Sequence, residues 1–138
     1  MRIAIVDDLA KERASLHLRL EKILNLRSVC AEILEYESGE AFLAAEKKQR
    51  FTAAFLDIYM DGMTGVEAVR KIREMDETIP IAFTTTSTEH TLESYRLSVL
   101  KYLEKPVRKK DINDLLHLVK LQRDSAPRLA IRQNGETQ

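Results

Sequence analysis

A chain of 138 residues with 44% hydrophobic and 32% charged residues suits one domain with a single core. Lysine plus arginine and aspartate plus glutamate number 22 each, which excludes a chain-wide basic field for holding nucleic acid. The single cysteine, Cys30, excludes an internal disulfide and a cysteine metal cage, and its apolar neighbours suggest a small core residue.

Residues 2–6, Arg-Ile-Ala-Ile-Val, form a run of branched apolar residues ending in Asp7 and Asp8, the pattern of a strand buried on both faces. Residues 10–26 follow with Ala14, Leu16, Leu20, Ile23 and Leu24 as a helical stripe, and residues 30–36 return to strand character. Ser38 fits the cap of a helix holding Ala41, Phe42 and Ala45. Residues 53–57, Ala-Ala-Phe-Leu-Asp, predict a third strand that ends in Asp57. After a glycine-containing loop, Thr64 and Glu67 form a capping box that opens a helix with Val66, Val69 and Ile72 on one face.

Pro80 precedes a fourth strand, residues 81–85. A helix over about 88–97, a fifth strand near 99–104 and a last helix from about Asp111 to Gln122 complete the series. The inner face of that last helix carries Ile112, Leu115, Leu116 and Val119. Five strands alternating with five helices predict a doubly wound α/β domain, a parallel sheet covered on both faces. The domain is expected over residues 1–123. Residues 124–128 read as a linker, and 129–138 as a short polar tail. The N-terminus has too little apolar length for a signal peptide, and no run approaches the ~20 apolar residues of a membrane span. The expected location is the cytoplasm, with no membrane partner.

In such a sheet, ligands bind outside the carboxyl ends of the strands. Asp7 and Asp8 follow the first strand, Asp57 ends the third, Thr85 the fourth, and Lys105 follows the fifth. Singly, each has an ordinary explanation as a turn, cap or solvated residue. Jointly they gather carboxylates that repel by roughly 3–4 kcal/mol per close pair at an effective dielectric near 20. A divalent cation bound by carboxylate oxygens, a backbone carbonyl and waters would offset that repulsion, and the oxygen-rich set suits Mg²⁺. Lys105 would pair with Asp57 and later with a phosphoryl oxygen, and Thr85 would supply a hydroxyl. Asp57 could then act as a nucleophile toward phosphorus.

These pieces resemble the receiver domains of bacterial response regulators. The resemblance runs over residues 1 to about 122. It rests on Ile5-Val6-Asp7-Asp8, on Leu56-Asp57-Ile58-Tyr59-Met60-Asp61-Gly62-Met63-Thr64-Gly65, on Thr85, and on Tyr102-Leu103-Glu104-Lys105-Pro106. It implies a flavodoxin-like sheet of order 2-1-3-4-5 with Asp57 as phosphoacceptor. Asp7, Asp8, Asp57 and the backbone carbonyl of Tyr59 would hold Mg²⁺, with Asp8 the more direct of the acidic pair. Thr85 and Tyr102 would be the switch pair, Lys105 would contact the phosphoryl group, and the Lys105–Pro106 bond would be cis. Tyr59 and Ser87 occupy positions that tune phosphoryl lifetime in this family. Asp61 stands where the family commonly has proline, which suggests a less rigid loop.

The resemblance further implies a sensor histidine kinase as phosphoryl donor and self-association through the face of the fourth helix, fifth strand and last helix. The only chemistry of the chain itself would be Mg²⁺-dependent self-phosphorylation and slow self-dephosphorylation: a switch, not a turnover enzyme. The segments at 56–60 and 102–107 also resemble receivers that precede a LytTR-type DNA-binding domain, and 129–138 resemble its opening strand. DNA would then be reached only through a C-terminal domain missing from this chain.

Two other readings compete. A haloacid dehalogenase-type phosphohydrolase needs a second aspartate two residues after its nucleophile, where this chain has Tyr59 after Asp57 and Leu9 after Asp7. A pseudo-receiver would act only as an interaction module. His17 and His117 lie within predicted helices without acidic or histidine partners at metal spacing, His90 reads as a surface histidine, and the charged runs 46–50 and 108–110 read as solvated.

Overall fold

The computed structural model describes residues 1–86, 99 and 101–125, with side chains of the last helix described through Lys120. Apolar residues in unbroken runs form β1 (Arg2–Val6), β3 (Ala53–Asp57) and β4 (Ile81–Thr85), and β3 and β4 are buried at every position. The edge strands are β2 (Glu32–Tyr36) and β5 (Lys101–Glu104), and β5 is one residue shorter than the rest. All five pair in parallel in the order β2-β1-β3-β4-β5, as expected.

Four helices occur among the described residues: α1 (Ala10–Leu26), α2 (Gly39–Lys48), α3 (Gly65–Met75) and α4 (Lys109–Ser125). The helix expected over 88–97 lies outside them, as do Ser87, His90 and the tail from residue 126. α4 begins two residues earlier than expected and continues through Ser125, so Asp124 and Ser125 are helical rather than linker.

Alternation along the strands sorts the core into two layers. Ile3, Ile5, Phe55, Ala82 and Leu103 meet Leu16, Leu20 and Ile23 of α1 and Ile112, Leu115 and Val119 of α4. On the other face Ala4, Val6, Leu56, Ile81 and Phe83 meet Phe42 of α2 and Val69 and Ile72 of α3. Each fully buried large side chain contributes about 1.5–3 kcal/mol of transfer free energy, and these layers fix where the strand ends point. Ser38 caps α2 by accepting the Ala41 N–H, and the Thr64–Glu67 capping box closes both ways.

Three expectations about burial need correction. Cys30 is exposed: Val29 and Ala31 on either side pack inward, and alternation turns the residue between them out. Ala14 and Ala41 are likewise exposed, at the margins of their helical stripes. Glu46, in a run expected to be solvated, is buried because it lies four residues after Phe42 on the inner side of α2. Its Oε1 accepts the Phe51 N–H at 3.0 Å. Burial, together with Asp76, raises its pKa to about 7.

Candidate phosphoacceptor site

Every strand of this sheet points its carboxyl end toward one rim, so the residues that follow the strands converge there. β1 delivers Asp7, 4% exposed, and β3 delivers Asp57, 5% exposed. One carboxylate oxygen from each of Asp7, Asp8 and Asp57 lies within 4.8 Å of the others. Lys105 reaches the cluster from beyond β5, with Nζ at 2.7 Å from Asp7 Oδ2 and 3.4 Å from Asp57 Oδ1. The Lys105–Pro106 peptide is cis.

The two members of the acidic pair are held differently. Asp7 has both carboxylate oxygens engaged, Oδ1 by the Leu9 N–H at 3.0 Å and Oδ2 by Lys105. Its own N–H donates to the Tyr36 carbonyl at 3.1 Å. Asp8 is half-buried, and its Oδ2 accepts the Asp61 N–H at 3.0 Å. This bond bears on the expectation of a less rigid loop at Asp61. Proline has no N–H to give, whereas Asp61 ties the loop after β3 to the acidic pair.

The electrostatics follow from this packing. Burial first, then the neighbouring Asp7 charge, raises the Asp57 pKa to about 6, although Lys105 pulls it down. Burial disfavours the Lys105 ammonium, but its hydrogen bond to Asp7 and the charges of Asp57 and Asp7 outweigh that and raise its pKa. Three carboxylates face one lysine, a donor set of hard oxygens with negative charge in excess, which is the chemistry that takes a divalent cation.

Thr85 is fully buried at the end of β4, and its carbonyl accepts the Lys105 N–H at 2.6 Å. It follows Ile81 and Phe83 in alternation and so belongs to the α2–α3 face. Tyr102 packs on that same face, edge-on to Phe83 with ring centroids 6.4 Å apart. The two residues expected to form a switch pair therefore share one side of the sheet. Tyr59 is 57% exposed beside the site.

Three contributors were not legible in the sequence. Thr84 pairs in register with Asp57 and lines a cavity of about 30 Å³ with Asp7, Glu12, Arg19 and Lys105. In the run Thr84-Thr85-Thr86, only strand parity tells which hydroxyl faces which side. Arg19 Nη1 donates to the Val107 carbonyl at 2.6 Å, anchoring the loop after Lys105 to α1. Arg13 Nη1 donates to the Asp7 carbonyl at 2.7 Å.

Gly65 is required by close approach: a Cβ there would lie 2.9 Å from Ile58 Cα and collide with the Asp57 carbonyl. His17, contrary to expectation, has acidic neighbours, with Nδ1 at 2.7 Å from Glu35 and Nε2 at 3.7 Å from Glu21. Glu35 comes from β2, a pairing that α1 alone cannot reveal. Among the described residues, Asp7, Asp8 and Asp57 form the one group of acidic, histidine or cysteine side chains close enough to hold a metal ion. Among those residues, too, no helix is long and apolar enough to cross a membrane.

Comparison with known proteins identifies the family of this fold. The family described as "Response regulator receiver domain" matches residues 3–117, and the chain belongs to that family. It is therefore a receiver domain of the two-component signalling type, a class of regulators rather than turnover enzymes. It is 29% identical to the sensory transduction protein LytR of Staphylococcus epidermidis, over 91% of this chain and 48% of that protein. It is 32% identical to protein PilH of Pseudomonas aeruginosa, over 77% of this chain and 86% of that one. The chain thus spans about half the length of LytR and most of PilH. Among solved structures, Vibrio cholerae chemotaxis protein CheY4 superposes with a TM-score of 0.74 at 25% identity, covering 86% of this chain and 97% of that one.

Proposed function

We propose that Asp57 accepts a phosphoryl group from a partner histidine kinase, with Mg²⁺ held by Asp8, Asp57 and the backbone carbonyl of Tyr59, and that this charge change switches an output. The observation that carries the reading is the convergence of Asp7, Asp8, Asp57 and Lys105 at one rim. Both oxygens of Asp7 are already engaged, which favours Asp8 as the more direct ligand and leaves Asp7 to orient Lys105.

In the transfer, a carboxylate oxygen of Asp57 forms a bond to phosphorus. The bond from phosphorus to the donor imidazole breaks, and the leaving nitrogen keeps the electron pair. Bound Mg²⁺ supplies Lewis-acid neutralisation of the phosphoryl oxygens. Lys105 pairs with a phosphoryl oxygen, and the Thr85 hydroxyl donates to another. The product carries about −1.5 to −2 charges by analogy with other phosphoresidues. Movement of Thr85 toward it would free space for Tyr102 on the shared face, which is the proposed switch.

In self-dephosphorylation water attacks phosphorus, the bond from phosphorus to the Asp57 oxygen breaks, and the carboxylate and inorganic phosphate are released. Tyr59, exposed beside the site, would slow this by screening the acyl phosphate. For the output, we read the chain as the receiver of a LytTR-type transcriptional regulator. The half-length match to LytR supports this, together with the likeness of residues 129–138 to an opening strand, although those residues lie outside the described ones. Self-association would use the face that includes β5 and α4.

The test is incubation with acetyl phosphate, with and without Mg²⁺, followed by intact mass beside an Asp57→Ala variant. A single phosphoryl adduct that needs Mg²⁺ and vanishes in the variant is the expected result. An unmodified wild type after fast quenching would favour a pseudo-receiver that acts through contacts alone.

A further inference from the structure

The helix that follows the acidic pair starts without a side-chain cap, because Leu9 occupies the cap position and offers no oxygen. The first turn is instead tied back to the end of β1. Arg13, largely buried, donates from Nη1 to the Asp7 carbonyl at 2.7 Å, while its Nε lies 3.3 Å from Glu35 Oε1 on β2. The second Glu35 oxygen, Oε2, is 2.7 Å from Nδ1 of His17. One rigid guanidinium therefore joins the edge strand and α1 to the turn that carries Asp7 and Asp8.

We infer that Arg13, oriented by Glu35 and His17, is a positioning residue that holds the Asp7–Asp8 turn in the geometry that receives the divalent cation. The inference deepens the phosphoacceptor reading above and rests on it. Arg13 contacts the peptide of Asp7 and not its carboxylate, so it acts on where the acidic pair stands. Outer partners of this kind characteristically alter metal affinity tenfold or more when removed.

Charge and position predict opposite signs. Arg13 carries a positive charge close to the cation site, so on charge alone its removal tightens cation binding. As a positioning residue, its removal loosens binding. Mg²⁺ titrations followed by backbone amide shifts in nuclear magnetic resonance would compare wild type with Arg13→Met, Arg13→Lys and Glu35→Gln. Lys22→Met, on an exposed part of α1, serves as the control. Metal-free thermal melts and phosphorylation by acetyl phosphate at saturating Mg²⁺ would accompany them.

Arg13→Met is expected to weaken Mg²⁺ binding about tenfold. Arg13→Lys, which keeps the charge but loses the fork, and Glu35→Gln should weaken it less, and Lys22→Met not at all. Raising Mg²⁺ should restore most of the phosphorylation rate in each. An Arg13→Met protein that binds Mg²⁺ as tightly as wild type, or more tightly, would overturn the inference. Should that variant melt too low to titrate, unchanged Mg²⁺ affinity in both Arg13→Lys and Glu35→Gln would overturn it equally. A wild type that takes up no Mg²⁺ would instead remove the cation reading, and the inference with it.

Discussion

Replacing Lys105 by methionine tests the electrostatic balance at the rim, because the side chain keeps its length and loses its charge. The ammonium lies 2.7 Å from Asp7 and 3.4 Å from Asp57. At an effective dielectric near 20, those contacts represent roughly 6 and 5 kcal/mol of gross attraction. Desolvation of the lysine offsets much of it, and removal of one partner from a buried pair costs about 3–5 kcal/mol net. Protonation limits the loss further. Asp57 already titrates at about 6, and its pKa rises once the lysine is gone. Neutralising a group with a pKa of 6 at pH 8 costs about 3 kcal/mol, and at pH 5 almost nothing.

The sign follows from linkage. The variant's native state holds an extra proton near neutrality, so its stability falls as pH rises. Metal-free thermal melts should show a deficit of about 3 kcal/mol at pH 8, roughly 10 °C for a domain of this size, and less than half of that at pH 5. Added Mg²⁺ should recover most of the loss at pH 8. A deficit as large at pH 5 as at pH 8, or none at either, would refute the assignment of Lys105 as counter-charge to the acidic cluster.

Two further outcomes follow from the packing. Glu46 has its pKa raised from 4.5 to about 7, so its favourable contribution is complete below about pH 4.5 and is gone once pH has risen through 7. Glu46→Gln should therefore flatten the stability–pH profile between 5 and 7.5 by about 2–3 kcal/mol, and an unchanged slope in denaturant titrations would contradict this. Gly65→Ala should cost about 1–3 kcal/mol, because the start of α3 must retreat from the end of β3. Its phosphorylation rate should fall as well, and a variant with wild-type melting and labelling would show that the close approach is unimportant.

Much of this architecture was legible because the local signals agreed with the global fold. Apolar runs at β1, β3 and β4, short and alternating with helical stripes, read as strands covered on both faces; β3 and β4 end in a polar residue at one rim, and Asp7 follows β1 there. The capping box at Thr64 and Glu67 marked the start of α3 to the residue. What escaped was whatever depends on a partner distant in sequence. Nothing in the sequence singles out Arg13, and His17 shows no partner at metal spacing, until β2 brings Glu35 beside both. Glu46 is the exception, since its place four residues after Phe42 was legible and the charges beside it in the run hid it. Cys30 misled in the opposite sense, since an apolar neighbourhood in sequence says nothing of which alternate residue faces inward.

The most direct measurement is chemical localisation of the phosphoryl group. The protein would be labelled with acetyl phosphate and Mg²⁺, treated with borohydride to reduce the acyl phosphate to homoserine, and mapped by peptide mass spectrometry. Homoserine is expected at Asp57 alone, with Asp7 and Asp8 unmodified. Homoserine at another aspartate, or none despite a phosphoryl adduct in the intact mass, would contradict it.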